Sequence, residues 1–182
     1  MQYEERVLLK DGRTCLIRSA CGEDAQAVRD SFQRTHAQTD FLLSYPDEDS
    51  FSVEQERQFL TEKEQSGTET ELCAIVDGRI AGTAGIEAVG RKDKVKHRAE
   101  FGISVEQEFW GLGIGRALTQ SCIDCARRAG YAQLELQVVS DNLRALALYR
   151  SAGFREYGRN PRGFRTRAGA WQELLLLCLE LN

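Results

Sequence analysis

Residues 109–154 constrain the fold and the chemistry of this chain more than any other segment. They begin with a glycine-spaced turn, Trp110-Gly111-Leu112-Gly113-Ile114-Gly115-Arg116. Because glycine has no side chain to keep phosphates away, such a turn can bind a pyrophosphate through backbone amides at a helix start. A later helical pattern places the amide of Asn142 close to two turns before the phenol of Tyr149. An anion-binding turn with a positioned proton donor indicates an enzyme whose cosubstrate carries phosphates and whose leaving group needs a proton.

Three classes of phosphate site use glycine-rich turns, and the sequence matches them unequally. A nucleoside-triphosphate loop needs Gly-Lys followed by Ser or Thr, whereas Gly115 is followed by Arg116-Ala117. A dinucleotide turn favours glycine where Leu118 stands, and the acidic Glu135 falls within an apolar strand rather than at its end. The third class binds coenzyme A. Taken alone, the turn is also compatible with tight packing of a strand against a helix.

Hydrophobic periodicity and turn residues predict alternating strands and helices. The strands are expected at 8–10, 13–17, 71–76, 79–89, 97–105, 131–139, 154–157 and 171–181, and the helices at 23–39, after the capping pair Ser52 and Gln55, at 113–130 and at 142–152. Gly82 and Gly85 indicate a bulge or a close contact within their strand. Residues 158–169 are expected to form an arginine-rich loop that carries Arg159, Arg162, Arg165 and Arg167.

Strand, glycine turn, helix and strand over residues 97–139 form a crossover unit, which implies a parallel strand pair. The flanking hairpins imply antiparallel neighbours. The sequence therefore predicts an α/β (α+β) fold with a mixed, mostly antiparallel central sheet, a parallel pair at the cofactor site and helices on both faces.

Length and composition predict one globular domain over residues 1–182. The longest apolar run, 174–179, is short for a membrane span, and the first residues lack the segments of a secretory signal, so a cytoplasmic location without membrane partners is expected. The net charge of −4 divides into −8 over residues 1–72 and +4 over residues 73–182. This distribution argues against general nucleic-acid binding and suits a basic half that meets phosphates and an acidic half that meets a cation.

The six cysteines predict core packing rather than redox or metal chemistry. Cys122 and Cys125 have CxxC spacing but fall late in an amphipathic helix rather than at a helix start. His36 and His97 are the two histidines of the chain, and no zinc site can be assembled from them. We therefore predict no metal.

Two spaced motifs resemble the GCN5-related N-acetyltransferase (GNAT) family. They are Val105-x5-Gly111-x-Gly113-x-Gly115-x2-Leu118 and Asn142-x2-Ala145-x2-Leu148-Tyr149-x3-Gly153-Phe154. The resemblance covers residues 97–157 in its motifs and nearly the whole chain in its order of elements. One departure is Trp110, which stands where the family often has glutamine or arginine.

The resemblance implies acetyl-CoA as cosubstrate and assigns its contacts. The amides near the glycine turn would hold the pyrophosphate, the backbone after the preceding strand would pair with the pantetheine arm, and Asn142 would bind that arm through its amide. Tyr149 would lie beside the thioester sulfur. The implied cofactor-binding residues are Ile103, Ser104, Val105, Gly111, Leu112, Gly113, Ile114, Gly115, Arg116, Asn142, Ala145 and Tyr149.

Acetyl transfer to a primary amine requires two proton transfers. The amine, with a pKa of about 10.4, must lose a proton, and the thiolate, whose thiol has a pKa of about 8.5, benefits from gaining one. Tyr149 is the candidate acid. Glu100 is the candidate base, since partial burial in its apolar strand would raise its pKa. Glu87, Asp141, a water chain and, less favourably, His97 are alternatives, and a backbone amide near Val105 is expected to hold the oxyanion.

The chain is therefore predicted to be an acetyl-CoA-dependent N-acetyltransferase that acts on a small-molecule or peptide amine by direct attack in a ternary complex. A non-catalytic acyl-CoA-binding regulatory module is the alternative. Edge strands are compatible with a homodimer. The acidic loop Asp47-Glu48-Asp49 would favour a cationic acceptor, whereas the arginines of residues 158–169 would favour an anionic one.

Overall fold

A computed structural model describes residues 1–48 and 51–181. These residues form eight strands, four helices and three short 3-10 turns at 22–24, 46–48 and 107–109. In chain order the elements are β1 (Glu4–Leu8), β2 (Thr14–Ser19), α1 (Ala25–Ala37), α2 (Val53–Gln65), β3 (Thr70–Val76), β4 (Arg79–Ala88), β5 (Arg98–Val105), α3 (Ile114–Arg128), β6 (Gln133–Val139), α4 (Leu143–Ser151), β7 (Arg155–Arg165) and β8 (Trp171–Glu180).

All these strands join one sheet in the order β1-β2-β3-β4-β5-β6-β8-β7. Neighbours are antiparallel except β5 and β6, which α3 connects as a crossover. The parallel pairing is short: it joins Arg98–Glu100 to Gln133–Glu135 and goes no further along either strand. The mixed, mostly antiparallel sheet that the sequence predicts is confirmed, and β5 has an open edge beyond Glu100.

Helices cover both faces of the sheet. On one face α1 packs against β4 and β5 and α2 packs against β3, around a small core that contains Val28, Leu60 and Ile80. On the other face α3 packs against β2 to β5 and contributes Leu118 and other apolar residues to the larger core. The predicted distribution of helices on the two faces is therefore correct.

Local sequence signals account for several helix boundaries. Ser52 accepts a hydrogen bond from the amide of Gln55, whose side chain reaches back to the Ser52 amide, so the predicted capping box is present. The helix α3 begins after Gly113 and ends before Gly130, which adopts a φ of 83°. Within the described residues, no helix has the length and apolar character needed to cross a bilayer.

The glycines of β4 mark both a bulge and close contacts, as predicted. The β3–β4 register shifts between Ala74 and Ile75, opposite Gly82 and Ile80. A methyl group on Gly82 would lie 2.5 Å from the carbonyl oxygen of Ser104, so only glycine lets β4 approach β5 so closely there.

The arginine-rich loop predicted for residues 158–169 is wrong, because β7 continues through Arg165 and only the turn to β8 remains irregular. The charged residues and Pro161 of this segment are typical of a loop, so the sequence pattern does not indicate a strand. Both features are compatible with β7 because it lies at the edge of the sheet, where one row of backbone groups faces solvent. Two register shifts against β8 further interrupt the alternation from which a strand is recognised.

A buried carboxylate holds α1 to the end of β5. Glu106 is fully buried, and Arg34 of α1 donates through Nε to its Oε1 over 2.8 Å. Arg79 of β4 donates to the other carboxylate oxygen. Because an ionised carboxylate is costly to bury without charged partners, these two arginines stabilise the junction of three elements.

We predict that Arg34→Met lowers the free energy of unfolding by about 1–3 kcal/mol, because it removes a charged hydrogen bond from a buried carboxylate. Urea denaturation provides the measurement. Arg57→Met is the matched control, since Arg57 pairs with Glu23 and Glu54, which are almost fully exposed. We expect the control to cost about 0–1 kcal/mol; equal losses in the two variants would contradict the assigned role of Arg34.

Candidate active site

A cleft of about 320 Å³ brings together the end of β5, the glycine turn and the start of α4. Beyond Glu100, β5 no longer pairs with β6, so the backbone groups on the β6 side of β5 are open to an extended ligand. The predicted site residues that line this cleft are Ile103, Ser104, Val105, Gly111, Gly113, Gly115, Arg116, Asn142 and Ala145. Most of the candidate cofactor contacts predicted from the sequence therefore line one cleft.

The glycine turn has the backbone of an anion site. Gly111 and Gly113 have φ values of 82° and 108°, a region that side-chain-bearing residues rarely adopt. A methyl group at either position would meet no protein atom within 4 Å, so the space beside the turn is free. The first helical bond of α3 runs from the amide of Ala117 to Gly113, which leaves the amides before Ala117 without helical acceptors. Free amides and the positive end of the helix dipole favour a phosphate here.

Two predicted contacts involve only backbone. Ile114 is fully buried in the larger core, and Leu112 packs partly against it, so neither side chain lines the cleft. Their amides belong to the turn, which is the contribution predicted for them. Lys10 and Arg144 also line the cleft although the sequence analysis missed them. With Arg116 they add positive charge where phosphates would bind.

Trp110 has a structural role in place of the side chain common in the family. Its indole Nε1 donates to the carbonyl oxygen of Val105 over 2.7 Å, which fastens the turn to the end of β5. The guanidinium of Arg144 lies 5.0 Å from the centre of the indole ring, within cation–π range. The departure at this position thus leaves the amide cradle intact.

Asn142 caps α4 and faces the cleft. Its Oδ1 accepts a hydrogen bond from the amide of Ala145 over 3.2 Å. The carbonyl end of the side chain is therefore used to start the helix. Its amide nitrogen is the end that remains to donate to a ligand, and the role predicted for it stays a prediction.

Tyr149 lies in a second cavity of about 350 Å³, between the parted strands β5 and β6. The ring is buried against Phe101 and Phe154, whose ring centres lie 6.1 and 5.9 Å away. Burial raises the pKa of Tyr149 well above its ordinary value of about 10. The phenol therefore keeps its proton at neutral pH, as a proton donor must.

Glu100 lines the same cavity but is exposed, so the partial burial expected for it is wrong. The cause is the alternation of β5, which turns Ala99 and Phe101 into the core and Glu100 away from it. The alternatives are exposed too: Glu87 forms a 2.8 Å ion pair with Lys63, and Asp141 and His97 lie at the surface.

Glu71 is a candidate that the sequence analysis missed. It lines a third cavity of about 380 Å³, beneath α1 on the same side as Glu100. Burial raises the pKa of Glu71 to about 7, although a hydrogen bond from Thr83 and the charge of Lys63 oppose the shift. Its place at the start of an apolar strand gave no signal, because its desolvation depends on packing across β4 and α1.

The acidic loop proposed to meet a cationic acceptor is already neutralised in part. Asp47 accepts a hydrogen bond from Arg167 over 2.7 Å, and Glu48 lies 4.0 Å from the same guanidinium. Asp49 lies outside the described residues. The two opposed charge clusters of the sequence therefore contact each other.

The CxxC cysteines belong to the core. Cys122 and Cys125 are fully buried in α3, and burial raises the pKa of both thiols, that of Cys125 to about 11. A raised thiol pKa suppresses the thiolate that redox and metal chemistry need. No group of potential metal ligands occurs in the part of the chain that the structure describes.

We predict that Glu71→Gln stabilises the protein in a pH-dependent manner. Below about pH 4.5 Glu71 is protonated in both states, so the variant gains little. As the pH rises towards 7, Glu71 ionises in the unfolded chain but stays protonated in the native state. The free energy of unfolding of wild type therefore falls by up to about 3 kcal/mol relative to that of the variant. Urea denaturation at pH values across this range measures the gain; one that does not grow with pH would contradict desolvation of Glu71.

Comparisons with known proteins agree with this geometry. The model of the acetyltransferase (GNAT) family matches residues 28–154. The N-alpha-acetyltransferase RimI of Mycobacterium tuberculosis is 40% identical over 88 residues, which are 48% of this chain and 53% of the relative, so the match spans about half the relative's length. A GNAT-family acetyltransferase from Streptococcus pneumoniae superposes with a TM-score of 0.87 at 28% identity, covering 91% of this chain and 99% of the other.

The fold is shared with a more distant structure as well. The protein YncA of Salmonella typhimurium, solved with its cofactor acetyl-CoA, gives a TM-score of 0.80 at 23% identity over 91% of this chain and 93% of its own. The family match extends over more than half of the sequence and includes the glycine turn, Asn142 and Tyr149. The chain belongs to the acetyltransferase (GNAT) family.

Proposed function

We propose that residues 1–182 form one acetyl-CoA-dependent N-acetyltransferase domain that transfers an acetyl group to a primary amine. The observation that carries this proposal is the single cleft that joins the glycine turn, the open edge of β5 and Asn142, with Tyr149 in the adjoining cavity. Family membership supports it, as do the activity in the mycobacterial relative's name and the cofactor of the Salmonella structure.

The chain's residues fit coenzyme A because the side-chain-free turn offers amides next to open space. In the proposed complex the amides from Leu112 to Arg116 hold the pyrophosphate, and Lys10 and Arg144 add positive charge. The edge of Ile103, Ser104 and Val105, apart from the Val105 carbonyl that Trp110 occupies, pairs with the pantetheine arm, to which Asn142 donates. Bound acetyl-CoA supplies an acetyl thioester; Tyr149 donates a proton to the departing sulfur while the amine attacks directly in a ternary complex.

A non-catalytic acyl-CoA-binding module is the second candidate, since it would need the cleft but no proton donor. The buried, protonated Tyr149 favours an enzyme. Thiol release from acetyl-CoA, measured with a panel of amines, separates the two. Binding of coenzyme A without turnover of any amine would favour the module.

The acceptor is proposed as a class rather than as a compound. The name of the mycobacterial relative refers to α-amino acetylation, so a peptide N-terminus belongs in the panel beside small amines. A cytoplasmic location and a homodimer remain predictions. The sheet edges available for dimerisation are those of β1 and β7.

We predict that coenzyme A binds in the micromolar range and stabilises the fold by about 2.7 kcal/mol at 100 times its dissociation constant. Gly113→Val should abolish most of this stabilisation, because a branched side chain would lie between the amides and the phosphates. Gly169→Val is the matched control: Gly169 also has a positive φ, 88°, but lies in the β7–β8 turn. Thermal shift at millimolar coenzyme A is the measurement, and its absence in wild type would exclude the cofactor.

We predict that Tyr149→Phe lowers turnover by about 10²- to 10⁴-fold with nearly unchanged affinity for coenzyme A, as expected for loss of a general acid. Tyr157→Phe is the control, since Tyr157 lines the same cavity but is exposed. Steady-state kinetics with chemistry shown to limit the rate would test this. Equal turnover in wild type and Tyr149→Phe would remove Tyr149 from the mechanism.

A further inference from the structure

Two paired glycines leave part of the sheet face beneath α1 without side chains, and we call this part the floor. Gly85 of β4 pairs directly with Gly102 of β5, and Glu71 of β3 pairs with Gly85 on its other side. A methyl group on Gly85 would overlap the carboxylate of Glu71, so that carboxylate lies over Gly85. Gly102 is exposed, and a methyl group there would meet nothing within 4 Å. The row therefore runs from a desolvated carboxylate to open space.

Polar side chains stand on both sides of this floor. Residues two apart on a strand share a face. The pair Glu87 and Glu100 therefore borders the glycine row on one side, and the pair Thr83 and Ser104 borders it on the other. Phe32, His36, Leu42 and Leu43 of α1 and the following loop also line the cavity. We call this cavity the glycine slot; Glu71 lies at one end of the glycine row.

On the β5 side, the slot adjoins the cofactor cleft. Ile103 and Ser104 line both cavities, and they belong to the edge of β5 proposed to pair with pantetheine. Neighbouring strands lie about 4.8 Å apart, so the Glu71 carboxylate over β4 is about one to two strand spacings from that edge. This separation suits an amine, or an amine and one water, between carboxylate and thioester.

We propose that the glycine slot binds the acceptor's ammonium group and that Glu71 takes its proton. The inference rests on the proposed acetyltransferase function and deepens it. It assigns the base to a residue that no motif indicates. It also explains why glycine occupies both positions, since any side chain on Gly85 or Gly102 would fill the space between the carboxylate and the cofactor.

The protons balance over one turnover. An ammonium group loses two protons when it becomes a secondary amide. Glu71 takes the first, which frees the nitrogen lone pair to form the C–N bond as the C–S bond breaks, and later releases that proton to solvent. The second leaves the nitrogen after attack and restores the proton that Tyr149 gives to the sulfur.

The other acidic groups around Glu71 are less suited to this step. Glu100 and Glu87 are exposed on the rim, and Glu87 is paired with Lys63. Among the described residues, the other titratable or charged groups near Glu71 on adjoining elements are His36 and Arg29 of α1, Glu56 and Lys63 of α2 and Glu48 of the preceding turn. Only His36 among these has an ordinary pKa near 7 and needs its own control.

The experiment measures kcat/KM by thiol release from acetyl-CoA from about pH 5.5 to about pH 10. Spermidine, putrescine and a hexapeptide beginning with alanine are the acceptors, and the full chain is used. The variants are Glu71→Gln, Glu100→Gln as the rim control and His36→Gln. Unfolding free energy and coenzyme A affinity, measured for each variant, confirm that it is folded and binds cofactor.

Wild type should gain activity as the pH rises through about 7, where Glu71 ionises. For Glu71→Gln, kcat/KM should be about 100-fold or more below that of wild type at neutral pH. It should recover steadily as the pH approaches the amine pKa, because free amine must then come from solution. An unchanged rate, or an activity limb that vanishes in His36→Gln or Glu100→Gln instead, would overturn the role of Glu71 alone. A wild type that binds coenzyme A but acetylates none of the three amines would overturn the proposed function, and the role of Glu71 with it.

A second variant tests the floor without touching the carboxylate. Gly102→Val adds a branched side chain in open space on extended backbone, so the strand should tolerate it. The slot proposal requires KM for the amine to rise about tenfold or more, with coenzyme A affinity within about twofold of wild type. An unchanged amine KM would place the acceptor elsewhere.

Discussion

The early parting of β5 from β6 is the constraint on which the candidate site depends. The strands pair over only three residues each, next to an ion pair in which Arg98 donates to the buried carboxylate of Glu135. These hydrogen bonds lower the pKa of Glu135, so the carboxylate remains ionised and paired at neutral pH. Beyond that point β5 and β6 no longer pair with each other, and the gap between them supplies both an unpaired strand edge and the cavity that contains Tyr149.

The glycine turn follows directly from this opening. A parallel pair needs a crossover helix, and α3 must start where β5 ends. Gly111 and Gly113 let the chain reverse through positive φ values, while Trp110 fastens the turn to the carbonyl of Val105. The helix start and the open strand edge are thereby placed side by side. One topological requirement thus accounts for both halves of the cofactor cleft.

Features encoded within a few residues could be predicted from the sequence. The turn, the helix over residues 142–152 and the capping box at Ser52 each depend on neighbours in the chain, and the crossover unit predicted the parallel pair. The features that the sequence did not predict depend on residues that are distant in the chain. The strand β7 is charged because it lies at a sheet edge, and the desolvation of Glu71 requires Gly85, fourteen positions away. Likewise, the clamp on Glu106 joins residues 72 positions apart, which no local pattern can show.

Charge is divided along the sequence, and the fold turns this division into two differently charged cavities. The basic half supplies Arg116 and Arg144 at the cofactor cleft, whereas Glu71, from the acidic half, ends the glycine slot. The loops that carry the densest opposite charges contact each other through Asp47 and Arg167. That pairing reduces the field of both clusters, which are exposed and far more screened than a desolvated group. Of the charges beside the sheet, Glu71 is the one that burial desolvates, and a low dielectric there would strengthen its interaction with a bound ligand.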